Sequence, residues 1–281
     1  MIPESISAAA LRGKVTGKPA VQSQYPMLRK TTREAVDRTL VLGVLAFRSR
    51  FEGVCLLEEG GSLETAMAMA SGVTEWLRDA ALCDAAFGEE RAALEQPELS
   101  WPGELTIALQ SAGLEESVAA LLFCVGAIEE LPRYDEAVDA DAVLHCLPFL
   151  SDSPFVTREG MSAREEYASM IGSVTLRSRD AIEAEERRAG AYWWRARSHS
   201  LVGAGRIDRH ELNATLLAGA AATRALAIPA DERGEFLCGD VRYGELDDGT
   251  LRSCSRIAEA RLRALRWILS DSTWKNVSMD S

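Results

Sequence analysis

The chain has 281 residues, of which 47% are hydrophobic, and its formal net charge is −12. This composition supplies one large hydrophobic core or two small ones. Residues 31–249 contain 39 Asp and Glu against 20 Arg, a net charge of −19. Nucleic-acid binding needs clustered positive charge, so this balance argues against a nucleic-acid-binding surface. It suits a basic protein partner, or a surface that only keeps the protein soluble.

The first 30 residues contain no continuous apolar stretch of the kind found in a secretory signal. No run in the chain approaches the roughly 20 apolar residues that span a bilayer. The six cysteines include no C-x-x-C pair, which favours reduced thiols. We therefore expect a cytoplasmic protein without a membrane-spanning segment.

Residues 1–30 are rich in Gly, Pro, Ser and Gln and show no sustained period, which predicts a short mobile N-terminal arm. The remainder, residues 31–281, is predicted to form a single all-α domain. Thr31 and Glu34 have the spacing of a capping box, so a helix should begin there. Two apolar stripes follow at helical spacing. They are Val36, Leu40, Val44, Phe47 and Phe51, and then Leu63, Met67, Ala70, Val73, Leu77 and Ala81.

The stretch "EESVAALLFCVGAIEELP" is apolar nearly all round, which predicts the most buried helix. Residues 133–154 are acidic and contain two prolines, which indicates a short helix and a loop. Ser178 and Asp208 each precede a helical run and are predicted N-caps. The helix after Ser178 carries an apolar stripe of Ile182, Ala189, Trp193 and Ala196.

Residues 232–249 are the one segment with strand or loop character. The last helix has a stripe with spacings of three and four, at Leu251, Cys254, Ala258, Leu262, Leu265 and Leu269. After it, Trp274 and Val277 are predicted to fold back as apolar anchors, with Asp280 bonding nearby backbone, so that the tail forms a structural clasp. The predicted fold is all-α, an irregular bundle of about seven to nine helices.

Several catalytic patterns are present only in part. "HELNA" begins at His210 like a zinc-protease helix, but Ala214 stands where the second histidine belongs. Ser162 in "GMSAR" lacks the second glycine of a nucleophile elbow, which is replaced by Arg164. The three histidines, His145, His199 and His210, are widely separated and could meet only through tertiary folding. No metal site and no catalytic residue is therefore predicted.

The stretch "RAGAYWWRARSHSL" contains adjacent tryptophans, which raises the possibility of a binding site. Consecutive helix positions point about 100° apart, so Trp193 and Trp194 face different directions. The stripe assigns Trp193 to the core and places Trp194 at the boundary, near Arg197. Trp194 is then either a boundary ring covered by an arginine stem, or the wall of a pocket with a cation–π role.

Four stretches taken in order resemble an uncharacterised bacterial family, catalogued as domain of unknown function 4272. They are "WLRDAALCDAAFGEERAALEQPE", "ESVAALLFCVGAIEELP", "LRSRDAIEAEERRAGAYWWRAR" and "ALRWILSDSTWKNVSMDS". The resemblance covers about residues 32–281 and implies the same helical fold. Gly113 with Leu114, and Gly190 with Ala191, stand where the family has Trp-Arg and Tyr-Arg pairs, which puts any polar site shared with it in doubt. The family carries no assigned activity.

These observations predict a non-catalytic acidic interaction protein that binds another protein, such as a basic toxin that it neutralises. The alternative is a hydrolytic enzyme with an interhelical cleft lined by Glu, Arg and Trp. No cofactor, metal or nucleic acid is expected in either case. The candidate binding residues are Trp194, Arg197, Glu116, Trp274 and Asp280.

Overall fold

A computed structural model describes residues 28–54, 62–150, 153–156 and 159–279. These ranges contain ten α-helices and one hairpin, and the predicted all-α fold is confirmed. The helices are α1 (Thr32–Val54), α2 (Ser62–Asp79), α3 (Gly88–Glu95), α4 (Gly103–Ser111), α5 (Leu114–Cys124), α6 (Ala140–His145), α7 (Ala163–Ser173), α8 (Arg179–Gly203), α9 (Arg209–Ala225) and α10 (Asp248–Leu269). Strands β1 (Leu237–Cys238) and β2 (Val241–Arg242) pair antiparallel, in the segment predicted to have strand or loop character.

The predicted N-terminal arm lies outside the described residues except for its last three. Two of those three, Arg29 and Lys30, contact the end of α10 and the C-terminal tail. Lys30 Nζ donates to the carbonyl of Ser272 at 3.1 Å and lies 5.2 Å from the centre of the Trp267 ring. Arg29 pairs with Asp271 at 3.5 Å. Residues just before α1 thus contact residues just after α10.

The helix count exceeds the predicted seven to nine because three helices were missed. Helices α3 and α4 flank the prolines near Trp101 and are only eight and nine residues long, too short for a clear period. The start of α7 did carry a signal. Ser162 is its N-cap, and the Glu165 carboxylate accepts from the Ser162 backbone N–H at 2.9 Å, as in a capping box.

Helices α1, α5, α8 and α10 form the centre of the molecule. Helix α5 packs between α1 and α10, and α8 lies along α10. Nine of the eleven residues of α5 are buried, as predicted. Helix α1 is buried on more sides than its stripe predicted, because α2, α4 and α7 also pack on it. The predicted stripe of α10 is buried up to Leu265, and Leu269 is partly buried.

The buried face of α2 differs from the predicted one at both ends. It runs through Ala66, Ala70, Val73 and Leu77, and the same spacing continues to the buried Ala80 just after the helix. Met67 is 43% exposed. Ala81 follows the helix and has a left-handed φ of 61°. The predicted stripe does not stay on one face of the helix. Its residues from Met67 to Val73 follow two successive spacings of three, and those from Val73 to Ala81 follow two successive spacings of four.

Side chains cap the helices where the sequence predicted. The backbone N–H of Glu34 donates to Thr31 Oγ1 at 3.2 Å, and the Glu34 carboxylate accepts from the Thr31 N–H at 2.8 Å. Ser178 Oγ accepts from the N–H of Ala181 at 3.3 Å. Asp208 accepts from the N–H of His210 at 2.7 Å. These bonds satisfy amide groups that have no partner within the helix.

Among the described residues, no single helix is long and apolar enough to cross a membrane. Helices α4 and α5 together meet that length and composition, but they are bent by 43° where they join.

Five of the six cysteines lie within the described residues, and none of these five forms a disulfide. Cys238 Sγ and Cys254 Sγ lie 3.9 Å apart. Burial raises the pKa of Cys238 to about 12. It also raises the pKa of Cys124, Cys146 and Cys254 above its usual range. These four thiols are therefore protonated at neutral pH.

We expect those four thiols to react slowly with a thiol-specific reagent in the native protein at pH 8, because only the thiolate attacks. After unfolding in guanidinium chloride without a reductant, all six cysteines should react. Absorbance of the released chromophore measures both rates and the total. Recovery of four thiols or fewer from the unfolded chain would contradict the prediction of reduced cysteines.

Candidate functional site

A cleft of about 620 Å³ opens between the second half of α8, the first half of α9 and the segment that carries the hairpin. Arg195 and His199 reach it from α8, one helical turn apart. Arg209 and His210 reach it from the start of α9, and Glu235 lies on the hairpin side. The cleft therefore gathers ionisable side chains from three separate parts of the chain.

Two glycines allow these elements to meet. Gly205, with a φ of 66°, lies in the turn that follows α8, which brings the start of α9 beside the end of α8. Gly234 has a φ of 83°, and a Cβ atom there would lie 2.5 Å from the carbonyl oxygen of Leu216. Only glycine lets this loop approach α9 so closely. The approach closes one side of the cleft and places Arg233 and Glu235 along it.

Arg195 and Glu235 form a buried ion pair in the cleft. Arg195 Nε donates to Glu235 Oε1 at 2.7 Å, and Nη2 donates to Oε2 at 2.8 Å. Arg195 is 1% exposed. Its third nitrogen, Nη1, is buried and has no hydrogen-bond partner. A buried guanidinium N–H without an acceptor is uncommon in folded proteins.

The carboxylates of the cleft are all engaged by arginines. Besides Glu235, Asp231 pairs with Arg242 at 2.9 Å and Glu245 with the same guanidinium at 3.7 Å. Two further arginines that line the cleft, Arg209 and Arg233, are exposed and form no ion pair with the described residues. Four arginines thus face three carboxylates, and the cleft carries a local positive charge in an acidic chain.

His199 is half-buried in this cleft, and its pKa is lowered. Burial is the main cause, and the positive charges of Arg195 and Arg209 add to it. Glu235 and Asp248 act in the opposite direction. The imidazole is therefore neutral at physiological pH, with one nitrogen that donates and one that accepts a hydrogen bond.

Apolar side chains form the remaining wall. Val202 on α8 and Leu212 and Leu216 on α9 line the cleft. Leu217 lies at its rim with 62% of its surface exposed. The cleft thus combines an apolar wall with a larger number of charged and polar side chains, whereas most ligand pockets are lined mainly by apolar residues.

Trp193 and Trp194 both lie at the boundary of the core, and the assignment of Trp193 to the core was wrong. The buried face of α8 passes through Ile182, Glu185, Ala189, Tyr192 and Ala196. Tyr192 occupies the expected place of the tryptophan because α10 and Tyr134 pack on that side. Its ring stacks on Tyr134, with centroids 4.7 Å apart and planes at 13°.

The predicted partnership of Trp194 with Arg197 also differs from the structure. The Arg197 guanidinium lies 5.1 Å from the centre of the Trp193 ring. Neither Trp194 nor Arg197 lines the cleft, although both belong to α8 close to residues that do.

The other predicted binding residues lie elsewhere, and the structure does not bring the set together. Glu116 is buried in an ion pair with Arg261 and accepts from the N–H of Val138 at 2.9 Å. Trp274 is buried against Trp267 in an edge-to-face contact at 5.8 Å. Asp280 lies outside the described residues. Glu116 and Trp274 therefore contribute to packing in this structure.

The residues that do line the cleft were missed for lack of a local motif. His199 and His210 are separated in sequence, but both line the cleft, while His145 lies on α6. One signal was available. Arg195 and His199 are four residues apart on a helix, which places them on the same face. Nothing in the sequence shows that Glu235 lies opposite them.

The described residues contain no group of three or more His, Cys, Asp or Glu side chains that could hold a metal ion. Comparison of the chain with protein-family models, curated proteins and solved structures gives no match. The resemblance to the family of unknown function therefore stays a prediction.

Proposed function

We propose that this protein acts by binding another protein, and that the α8–α9 cleft receives a segment of that partner. The observation that carries the proposal is the exposed Leu217 at the rim of a cleft with an arginine-rich floor. Single exposed apolar side chains are common on protein surfaces, but Leu217 lines the same cleft as four arginines, and arginine is enriched in protein–protein interfaces. The cleft also has the volume of a binding site, since pockets that hold ligands typically measure about 300–1,000 Å³.

The charge of the cleft favours an acidic segment of the partner. A basic partner, such as a toxin, would instead bind the acidic surface formed elsewhere. Exposed carboxylates on α2 and α3, including Glu75, Asp79 and Glu89, support that form of the proposal. Salt should weaken binding in both forms, since exposed charges are screened, so the two forms differ in the surface at which the partner binds.

The hydrolytic alternative keeps one supporting observation. His199 has a lowered pKa and lies in a cleft near Glu235 and Arg195, and such perturbed groups are concentrated in active sites. Tryptophan, which the alternative placed in the cleft, does not line it. If the protein is a hydrolase, the His199→Ala variant should lose turnover of a compound from a cell extract, followed by proton NMR.

The proposed binding is tested by crosslinked affinity capture with the variant Leu217→Arg. Its matched control is Ile107→Arg, because Ile107 on α4 is 64% exposed and lies away from the cleft. Both changes add the same charge at an equally exposed position, so neither should alter folding. We expect a polypeptide that is captured by the unmodified chain and by the control but is lost with Leu217→Arg. Equal capture by both variants, or no capture by the unmodified chain, would overturn the proposal.

A further inference from the structure

We infer that the floor of the cleft is a carboxylate-binding subsite, in which Arg195, Arg209 and Arg233 hold an acidic group of the bound partner. The inference rests on the proposed function, since it assigns the chemistry of the segment that enters the cleft. Three independent features of the cleft lead to it.

The first feature is the unpartnered Nη1 of Arg195. Two other buried arginines, Arg48 and Arg261, use all three nitrogens in hydrogen bonds to the protein. Arg38 also has one unpartnered nitrogen, and its guanidinium lies against the rings of Phe87 and Trp274. The Arg195 guanidinium lies 5.9 Å from the centre of the Tyr243 ring. Among these four buried arginines, Arg195 is the one that lines the cleft, and its unpartnered Nη1 is buried rather than exposed in the cleft. A guanidinium donor is best satisfied by a carboxylate oxygen.

The second feature is the uncompensated charge. The carboxylates of the cleft are engaged by Arg195 and Arg242, which leaves Arg209 and Arg233 without a protein counter-charge among the described residues. The excess of positive charge in the cleft is small, since four arginines and three carboxylates line it. A singly charged carboxylate matches this excess better than a phosphate, which carries more charge and needs more donors.

The third feature is the apolar wall of Val202, Leu212 and Leu216 next to these arginines. A ligand held by the guanidinium groups inside the cleft can place apolar atoms against this wall. The subsite fits a carboxylate on an apolar stem, such as an acidic side chain with apolar neighbours. A short carboxylate without a stem covers none of the apolar surface that Val202 and Leu217 expose, and it gains less from binding.

The test uses four small probes: acetate, hexanoate, hexanamide and inorganic phosphate. The imidazole signals of His199 report binding by NMR. Burial is the main cause of the lowered pKa of His199, and the positive charges of Arg195 and Arg209 lower it further. The negative charges of Glu235 and Asp248 raise this pKa, so a bound anion should raise it as well. We expect hexanoate to bind more tightly than acetate, and hexanamide to leave the pKa unchanged.

Charge-removing variants identify the arginines responsible. Arg209→Gln and Arg233→Gln change exposed side chains, so both should fold, and each should weaken hexanoate binding on the order of tenfold. Arg195→Lys keeps the charge opposite Glu235 but removes the planar fork, and it should also weaken binding. Arg78→Gln, an exposed change on α2, is the matched control and should bind hexanoate as the unmodified chain does.

The outcomes separate this inference from the proposed function. Equal effects of hexanoate and hexanamide, or tighter binding of phosphate than of hexanoate, would overturn the carboxylate subsite. In that case, capture that depends on Leu217 would still support the proposed function. Conversely, hexanoate binding that depends on Arg209 and Arg233 supports the subsite even if no polypeptide is captured through Leu217.

Discussion

The Arg261→Ala variant is expected to lose about 3–5 kcal/mol of its free energy of unfolding, the usual cost of breaking a buried ion pair. Arg261 is completely buried in α10. Its Nε donates to Glu116 Oε2 at 2.8 Å, and its Nη2 donates to the carbonyl of Glu136 at 3.2 Å. Its Nη1 donates to the carbonyl of Pro132. Removing the guanidinium leaves the buried Glu116 carboxylate with only the Val138 N–H as a donor among the described residues, and it removes the donors to the carbonyls of Pro132 and Glu136.

Urea unfolding followed by far-ultraviolet circular dichroism measures this loss. The matched control is Arg263→Ala on the same helix, because Arg263 and its partner Glu259 are both partly exposed. An exposed pair contributes about 0–1 kcal/mol, so the control should change stability little. The double variant Arg261→Met with Glu116→Leu removes both charges and should recover part of the loss. A cost of Arg261→Ala no larger than that of the control would contradict the prediction.

Truncation after Ser272 is expected to lower the melting temperature by about 10 °C. Deleting a buried tryptophan costs about 3–5 kcal/mol, and a chain of this size loses about 2–4 °C for each kcal/mol. Trp274 packs on Trp267, and the Arg38 guanidinium lies 4.3 Å from the centre of its ring. Val277 adds a partly buried side chain, and the carbonyl of Ser278 accepts from Arg266 Nη1 at 3.0 Å.

Differential scanning calorimetry of the truncated chain tests the tail. The point variant Trp274→Ala should account for most of the effect. Lys275→Ala is its control, because the Lys275 side chain is 78% exposed and its one ion pair among the described residues is with the exposed Glu89. A truncated chain that melts at the same temperature would show that the tail does not stabilise the fold. The predicted clasp would then be wrong despite the burial of Trp274.

Local sequence was sufficient for the features that depend on neighbours within a few residues. The N-caps at Ser178 and Asp208 formed as predicted, because a capping side chain bonds amides two or three residues ahead. The stripe of α10 was correct up to Leu265, since regular spacings of three and four leave one buried face. The burial of Trp274 was also predicted from local sequence, because it is an aromatic residue just after an amphipathic helix.

Where two adjacent apolar residues could each lie on the buried face of a helix, only packing decided which of them is buried. On α8, the stripe predicted Trp193 for the core, and the structure has Tyr192 there instead, stacked on the ring of Tyr134. On α2 and just after it, Ala66 and Ala80 are buried in place of Met67 and Ala81. Adjacent apolar residues differ by about 100° around a helix, so the position of the neighbouring element decides between them.

The buried arginines show the limit of local information most clearly. Arg261 falls between Ala258 and Leu265 on the buried stripe of α10, yet its acceptor Glu116 lies 145 positions away. Arg195 meets Glu235 across 40 positions, and with His199 and Arg209 it builds a cleft from three segments. The sequence by itself determined the helical class, the caps and the last helix. Only the tertiary structure decided which charges are buried and where the cleft lies, because burying a charge requires acceptors that distant segments supply.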